Sequence, residues 1–223
     1  MNNLKIKSHA KINLALNVTG KTSKLHKIES IVSFIDLHDL IYLNKINNKD
    51  HKVLFKGRFA KNISKINTVT KLLKLLDQKK LLNNQKFEIK ITKNIPKEAG
   101  MGGGSMNAAS LINFFIKKKI FKLSNAELSD ITNQIGSDVI LGIKPTNTIL
   151  SSNGIIKKFD KSDRLHILIV KPNFGCSTKY IYSKLRLFSK SQFNFPKKKM
   201  FKVEYLKTLN NDLEKIAIKK YPK

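Results

Sequence analysis

The stretch Ile95-Pro-Lys-Glu-Ala-Gly-Met-Gly-Gly-Gly-Ser-Met-Asn-Ala-Ala109 joins a strand pattern to a helix pattern through the densest glycine cluster of the chain. Upstream, Phe87-Glu-Ile-Lys-Ile91 alternates apolar and polar residues, as a half-buried strand does. Downstream, Ala108, Leu111, Ile112, Phe115 and Ile116 recur at helical spacing. Glycines at 100, 102, 103 and 104 permit positive φ and carry no side chains, so consecutive backbone N–H groups can converge on one anion. The start of the following helix adds partial positive charge, with Ser105 and Asn107 supplying oxygen-bearing side chains. Phosphate is the ligand this chemistry suits. The spacing matches neither the Gly-x-x-x-x-Gly-Lys-Ser/Thr loop nor a dinucleotide fingerprint.

Working outward, Leu4 to Val18 predicts a strand, with Ile12, Leu14, Leu16 and Val18 on one face and Lys11, Asn13 and Asn17 on the other. Ile28 to Leu43 predicts a second strand region, broken by Asp36-Leu-His-Asp39, and Lys52 to Phe55 a short third. Asn67 to Leu82 has Val69, Leu72, Leu73 and Leu76 on one helical stripe, with Asn67 placed as its cap. Ser124-Asn-Ala-Glu127 is a capping box for a helix carrying Leu128, Ile131 and Ile135, which Gly136 closes. Asp138 follows directly and enters the apolar run Val139 to Ile143. A carboxylate there is costly to bury unpaired, so a neighbouring cation is expected.

Beyond Pro145-Thr-Asn147 the pattern changes to short strands over Thr148–Ser151, Ile155–Phe159 and His166–Val170. Ser177-Thr178 then caps a short helix, and Asn211 to Lys220 predicts another. The fold class expected is α+β. An N-terminal domain of residues 1–144 is expected to have a mixed sheet packed by helices, followed by a smaller α/β domain of residues 145–223.

The chain has 223 residues, enough for a full core, and 44 lysines and arginines against 15 acidic residues, a formal charge of +29. Lysine is spread along nearly every segment together with asparagine and isoleucine. That pattern favours a general compositional bias over a dedicated nucleic-acid surface, although polyanions will be attracted at low salt. A single cysteine, Cys176, rules out an internal disulfide and suits a reducing, cytoplasmic setting. No apolar run approaches the ~18 residues of a membrane span, and the first ten residues lack an apolar signal core.

With Lys11, the glycine loop and Asp138 taken together, the sequence resembles the GHMP kinases, named for galactokinase, homoserine kinase, mevalonate kinase and phosphomevalonate kinase. Four ordered blocks carry the resemblance along essentially the whole chain. They are Ala10-Lys-Ile-Asn-Leu14 with Gly20 and His26, Ile95 to Ala109, Ile135-Gly-Ser-Asp-Val139, and Asn211-Asp-Leu-Glu214. The resemblance implies transfer of the ATP γ-phosphate, with Mg²⁺, to the hydroxyl of a small molecule, here of the branch whose acceptor is a cytidine-diphosphate-linked sugar alcohol.

It further implies Asp138 as general base and Lys11 as the cation that pairs with it and stabilises charge near the transferring group. ATP contacts are implied at Asn67, Lys93, Pro96, Gly100, Met101, Gly102, Gly103, Gly104 and Ser105. Substrate contacts are implied at Asn13 for the sugar alcohol and at His26 with Tyr182 for cytosine. No protein-built metal site is expected. The chain departs from the family pattern at four places. Ser23-Lys-Leu25 replaces Asp-Gly-Tyr before His26, Met106 replaces a second Ser, and Ile140 stands where Pro is usual. No Gly-Thr-Gly-Ala type loop follows Gly175. The last departure leaves three readings open: a naturally short form, a truncated chain, or a second domain completed by dimerisation. Another small-molecule kinase of the family, or a non-catalytic basic binding protein on its fold, are the alternative readings.

Overall fold

The computed structural model describes residues 4–23, 25–160 and 165–222, so Lys24 of the Ser23-Lys-Leu25 departure lies outside it. Among the described residues, six strands and seven helices follow in the order β1 (Leu4–Lys21), β2 (His26–Ile46), β3 (Lys52–Lys56), α1 (Thr68–Gln78), β4 (Lys86–Thr92), α2 (Gly103–Lys117) and α3 (Asn125–Ile135). Then come α4 (Val139–Gly142), β5 (Asn147–Leu150), β6 (Ile156–Phe159), α5 (Thr178–Ser183), α6 (Val203–Leu206) and α7 (Glu214–Lys220), with one 3₁₀ turn at Lys198–Phe201.

The chain forms two compact units that interleave in sequence. The first comprises Met1–Ala10, Ile35–Lys97 and Met101–Pro145; the second comprises Lys11–Phe34, Glu98–Gly100 and Thr146–Lys223. The long strands β1 and β2 pair with each other and each contributes to both units. The last crossing falls after Pro145.

In the first unit, β2 from Leu40 to Ile46 pairs antiparallel with β4, and β3 lies parallel on the other side of β4. The parallel pairing follows from chain order: α1 carries the chain back between β3 and β4, as a parallel crossover requires. Val69, Leu72, Leu73 and Leu76 of α1 join Ala108, Leu111, Ile112 and Phe115 of α2 over Ile41, Leu43, Phe87, Ile89 and Ile91 of the sheet. Each large side chain buried this way contributes on the order of 1.5–3 kcal/mol, which is what holds a loop-bearing helix in one position.

The capping signals act as their chemistry requires. Asn67 accepts from Val69 N and Thr70 N, and Ser124 and Glu127 form a reciprocal box at α3. Gly136 caps α3 in an extended conformation, φ 166°, not in the left-handed region. At the far end of β4, His51 Nδ1 accepts from Phe87 N at 3.0 Å while its Nε2 lies 3.2 Å from Asp77. Burial holds this imidazole below its ordinary value, against the opposing pull of Asp77.

In the second unit, β2 from Ser30 to Val32 pairs antiparallel with β5, which pairs antiparallel with β6. A separate core of Ala15, Ile31, Ile149, Phe193, Met200 and Phe201 closes beneath them. Glu29 organises the irregular 190s segment. Its fully buried carboxylate accepts from Asn17 Nδ2 and Gln192 N, both at 2.8 Å, and from Ser191 Oγ and Phe193 N at 2.8 and 3.1 Å.

Several expectations need correction. Asp36-Leu-His-Asp39 does not break β2, which runs unbroken to Ile46. Asp39 instead turns inward and is fully buried. On the polar face of the first strand, Lys11 and Asn17 are each only 5% exposed. Helix α1 stops at Gln78, although Leu82 beyond it still packs into the core. His166–Val170 forms no strand over its described residues, and Leu168 and Val170 are 88% and 81% exposed.

Candidate active site

Strand β4 delivers the chain to Lys93, whose N–H donates to Lys56 O at 2.7 Å and whose carbonyl accepts from Phe59 N at 3.3 Å. The side chain turns inward and its ammonium pairs with the Asp39 carboxylate. The same carboxylate accepts from Asn94 N and Ile95 N, both at 2.8 Å, and from Asn107 Nδ2 at 3.0 Å. One buried acid therefore ties the exit of β4 to α2. Ile95 and Pro96 are buried, and the chain then emerges at Lys97.

The glycine stretch adopts the conformations its composition allows. Gly100 and Gly102 both have φ 68°, a left-handed geometry that a side chain would strain. Gly102 is the N-cap of α2 and no side chain caps that end. The first bond of the helix runs from Met106 N to Gly102 O at 2.8 Å, so the N–H groups of Gly103, Gly104 and Ser105 precede the intrahelical ladder.

Gly103 and Gly104 are required for another reason, close packing. A Cβ on Gly103 would lie 3.0 Å from Ile95 Cγ2 and 3.2 Å from Lys93 Nζ, and one on Gly104 would lie 3.1 Å from Thr68 Oγ1. Thr68, the first residue of α1, donates its hydroxyl to Gly104 O at 2.7 Å. The N-termini of α1 and α2 are thus joined beside the loop, with Asn67 directly behind. Its Oδ1 is occupied as the α1 cap, and its Nδ2 donates to Ser64 O at 3.0 Å.

The acidic block lies against the same helix start. A Cβ on Gly136 would be 3.8 Å from Ser105 Oγ. Two residues later Asp138, half-buried, opens α4, with Leu141 N bonded to Asp138 O at 3.2 Å. Helix α4 is pressed onto α2 so closely that a Cβ on Gly142 would sit 2.6 Å from Ala109 Cβ and 2.9 Å from Met106 Sδ. Asn113 Nδ2 seals that contact through Gly142 O at 3.0 Å. Within the first unit, the glycine-rich start of α2 and the acidic turn are therefore held by one helix pair.

The second unit carries the other residues singled out above. Lys11 Nζ donates to Asn13 Oδ1 at 3.1 Å, so the two polar positions of β1 face each other's side chains. The rings of His26 and Tyr182 lie 5.0 Å apart at 33°. Rings in contact leave no room for a base between them, so a base would have to stack outside the pair or meet its edges. The Asn211-Asp212 block fastens β1. Asp212 accepts from Val18 N at 2.7 Å and Ser189 Oγ at 2.9 Å, and its own N–H reaches Leu16 O at 2.9 Å. The Glu98–Gly100 part of the glycine loop belongs to this unit, where Cys176 N donates to Glu98 O at 3.1 Å.

Asp39, Asn107 and Glu29 were not singled out from the sequence. In sequence Asp39 belongs to a polar interruption of a strand pattern and Asn107 to the oxygen-bearing start of a helix, and neither position points to the carboxylate cluster they form. An acidic residue inside an otherwise apolar strand is the signal that could have found Asp39 and Glu29. Among the described residues, no three carboxylate, imidazole or thiol side chains converge as a metal site, and no helix is long and apolar enough to cross a membrane.

Comparison with known proteins adds the following. The family model described as the GHMP kinases N terminal domain matches residues 67–146. The chain is 68% identical over 222 residues to a 4-diphosphocytidyl-2-C-methyl-D-erythritol kinase of Pelagibacter ubique (strain HTCC1062), covering all of this chain and 79% of that protein. It is 32% identical over 229 residues to the enzyme of that name from Caldanaerobacter subterraneus subsp. tengcongensis, covering 98% of this chain and 77% of the relative. In fold it is similar to a crystal structure of 4-(cytidine 5'-diphospho)-2C-methyl-D-erythritol kinase, with TM-score 0.69 at 19% identity over 98% of this chain and 79% of that one. A homoserine kinase from Cytophaga hutchinsonii is similar at TM-score 0.56 and 15% identity, over 83% of this chain and 61% of the other.

Proposed function

The chain belongs to the GHMP kinase family, in its 4-diphosphocytidyl-2-C-methyl-D-erythritol kinase branch, and from that membership we propose that it transfers the γ-phosphate of ATP to the 2-hydroxyl of 4-diphosphocytidyl-2-C-methyl-D-erythritol. The reaction serves isoprenoid precursor synthesis by the non-mevalonate route, in the cytoplasm. The observation that carries the reading is the packing of the Gly136–Asp138 turn against the first turn of α2, where a Cβ on Gly136 would be 3.8 Å from Ser105 Oγ. A base for the acceptor hydroxyl is thereby supplied beside a cradle for the donor phosphates.

The residues fit a triphosphate. Gly103 and Gly104 leave no space for side chains, Gly100 and Gly102 hold left-handed backbone, and the α2 end carries no capping side chain. The backbone N–H groups from Gly100 to Ser105 hold the triphosphate, and the helix end adds its partial charge. Asn67 stands at the start of α1 beside the cradle, on the side given to adenosine; Lys93, expected there too, is buried with its ammonium on Asp39, and buried Pro96 and Met101 brace the loop. ATP would supply the transferable phosphoryl group, and Mg²⁺ bound with it would offset charge on the phosphates.

Phosphoryl transfer needs little covalent chemistry from a protein, so positioning and charge do most of the work. Asp138 accepts the proton of the tertiary hydroxyl. Lys11, held by Asn13 Oδ1, offsets charge that builds on the oxygens of the reacting groups. Asn13 also turns its amide to the sugar alcohol, while His26 and Tyr182 receive the cytosine.

Incubation with ATP, Mg²⁺ and the cytidine-diphosphate-linked acceptor is expected to release ADP stoichiometrically with phosphorylated product. Lys11→Met and Asp138→Asn are each expected to abolish turnover while ATP still binds. Folded protein that hydrolyses or ignores ATP without phosphorylating the acceptor would overturn the assignment. A related acceptor lacking cytidine is the second reading, favoured by Leu25, which is 67% exposed where the family pattern has an aromatic ring. A preference for such an acceptor in a substrate panel would select it. Nucleic acid is not a partner in this account despite the net charge of +29. Self-association is left to a sedimentation measurement.

A further inference from the structure

Beneath the glycine loop lies a buried charge pair that the phosphoryl-transfer chemistry does not use. Asp39 is 0% exposed, Lys93 4% and Asn107 1%, and all three belong to the first unit. The Asp39 carboxylate receives Lys93 Nζ, Asn107 Nδ2 at 3.0 Å, and the backbone N–H groups of Asn94 and Ile95 at 2.8 Å each. These donors come from three places in sequence: the end of β4, the entry to the loop, and the second turn of the helix that the loop caps. Lys93 Nζ also sits under the first turn of α2, 3.2 Å from where a Gly103 Cβ would be.

We propose that Asp39 and Lys93 are positioning residues that act as one neutral clamp, fixing the phosphate loop from below, and that Lys93 serves the loop in this way without touching the nucleotide. This deepens the phosphate-cradle reading above and rests on it. The cradle works by aligned N–H groups and a helix end, both of which depend on backbone placement. A carboxylate bonded to both sides of the loop sets that placement. On its own, however, the same carboxylate would place a negative charge under a site for a polyanion. The Lys93 ammonium cancels it. Burying the two charges together is tolerable, whereas removing one leaves the other uncompensated, and removing both is much less harmful.

That asymmetry provides the test. Binding of inorganic tripolyphosphate and of ATP is measured by calorimetry for wild type, Lys93→Met, Asp39→Asn and the double variant, with circular dichroism to verify folding. Lys93→Met is expected to weaken tripolyphosphate and ATP by the same factor, at least tenfold, and the added Asp39→Asn is expected to recover most of both losses. If Lys93→Met weakens ATP but leaves tripolyphosphate unchanged, Lys93 contacts the adenosine end and the proposal is wrong. It is equally wrong if the double variant binds no better than Lys93→Met.

Should Lys93→Met fail to fold, Asn107→Ala carries the test, because it keeps the ion pair and removes only the bond to α2. Severalfold weaker tripolyphosphate binding is then expected, and unchanged binding refutes the clamp. Wild type that binds tripolyphosphate yet leaves the acceptor unphosphorylated, with the rescue present in the double variant, would overturn the assigned reaction and leave the clamp standing. Wild type with no affinity for tripolyphosphate would overturn the clamp.

Discussion

Gly142→Ala probes the contact on which the site depends, the seating of α4 on α2. The added Cβ would fall 2.6 Å from Ala109 Cβ and 2.9 Å from Met106 Sδ, and the space is otherwise filled by buried Met106 and Ala109. Carbon atoms in contact rest at roughly 3.5–4.0 Å, so α4 must retreat by about 1 Å or the Met106 side chain must leave its rotamer. Overpacking of this kind costs about 1–3 kcal/mol. The gain from replacing helical glycine by alanine, about 1 kcal/mol at most, offsets only part of it.

At about 2–4 °C per kcal/mol for a chain of this size, the melting temperature is expected to fall by several degrees. Asp138 precedes α4 directly, so a retreat of that size moves the proposed base relative to the loop. Misplacement of about 1 Å can cost roughly 10²-fold in rate. The assay is kcat and KM for ATP alongside a thermal melt. A large drop in kcat with modest change in KM is expected, and adding Ala109→Gly, which reopens the space, should restore most of it. A Gly142→Ala protein with wild-type kcat and melting temperature would refute the packing argument.

Three further outcomes are expected. His51 is held below its ordinary 6.5 by burial, so the fold favours the neutral ring; its contribution is present above that value and is lost as pH falls through the lowered one. Urea midpoints should therefore decline on acidification below about pH 6.5, and His51→Gln should flatten that part of the curve. Glu29→Gln replaces an oxygen that accepts two bonds with an amide group facing donors; it should cost about 1–3 kcal/mol and be visible as a lower melting temperature. Asn67→Ala removes the α1 cap at a cost of roughly 0.5–2 kcal/mol, and ATP affinity measured beside the melt separates capping from any direct contact.

Local chemistry was legible in the sequence wherever it was local. The glycine loop, the Asn67 cap and the Ser124–Glu127 box announce themselves within five residues, because caps and left-handed turns are decided by neighbours. What the chain hid was set by distant partners. Asp39 reads as a break until Lys93 and Asn107 are brought to it across 54 and 68 positions. Asn17 is only one of the polar residues on a strand face until Glu29 meets it. The Asn211-Asp212 block, one of the four that carried the family resemblance, turns out to fasten β1 to the last part of the chain. His166–Val170 went wrong for the opposite reason: an apolar run has strand propensity, but a strand also needs a paired neighbour.

Single-turnover transfer from γ-labelled ATP to 4-diphosphocytidyl-2-C-methyl-D-erythritol, for wild type and Asp138→Asn, tests both the phosphoryl transfer and the proposed role of Asp138 as its base. Label should appear in the acceptor with wild type, and the variant should bind ATP normally yet transfer some 10²–10⁴-fold more slowly. Transfer by Asp138→Asn at the wild-type rate, or an unlabelled acceptor with folded, ATP-bound wild type, would contradict these assignments.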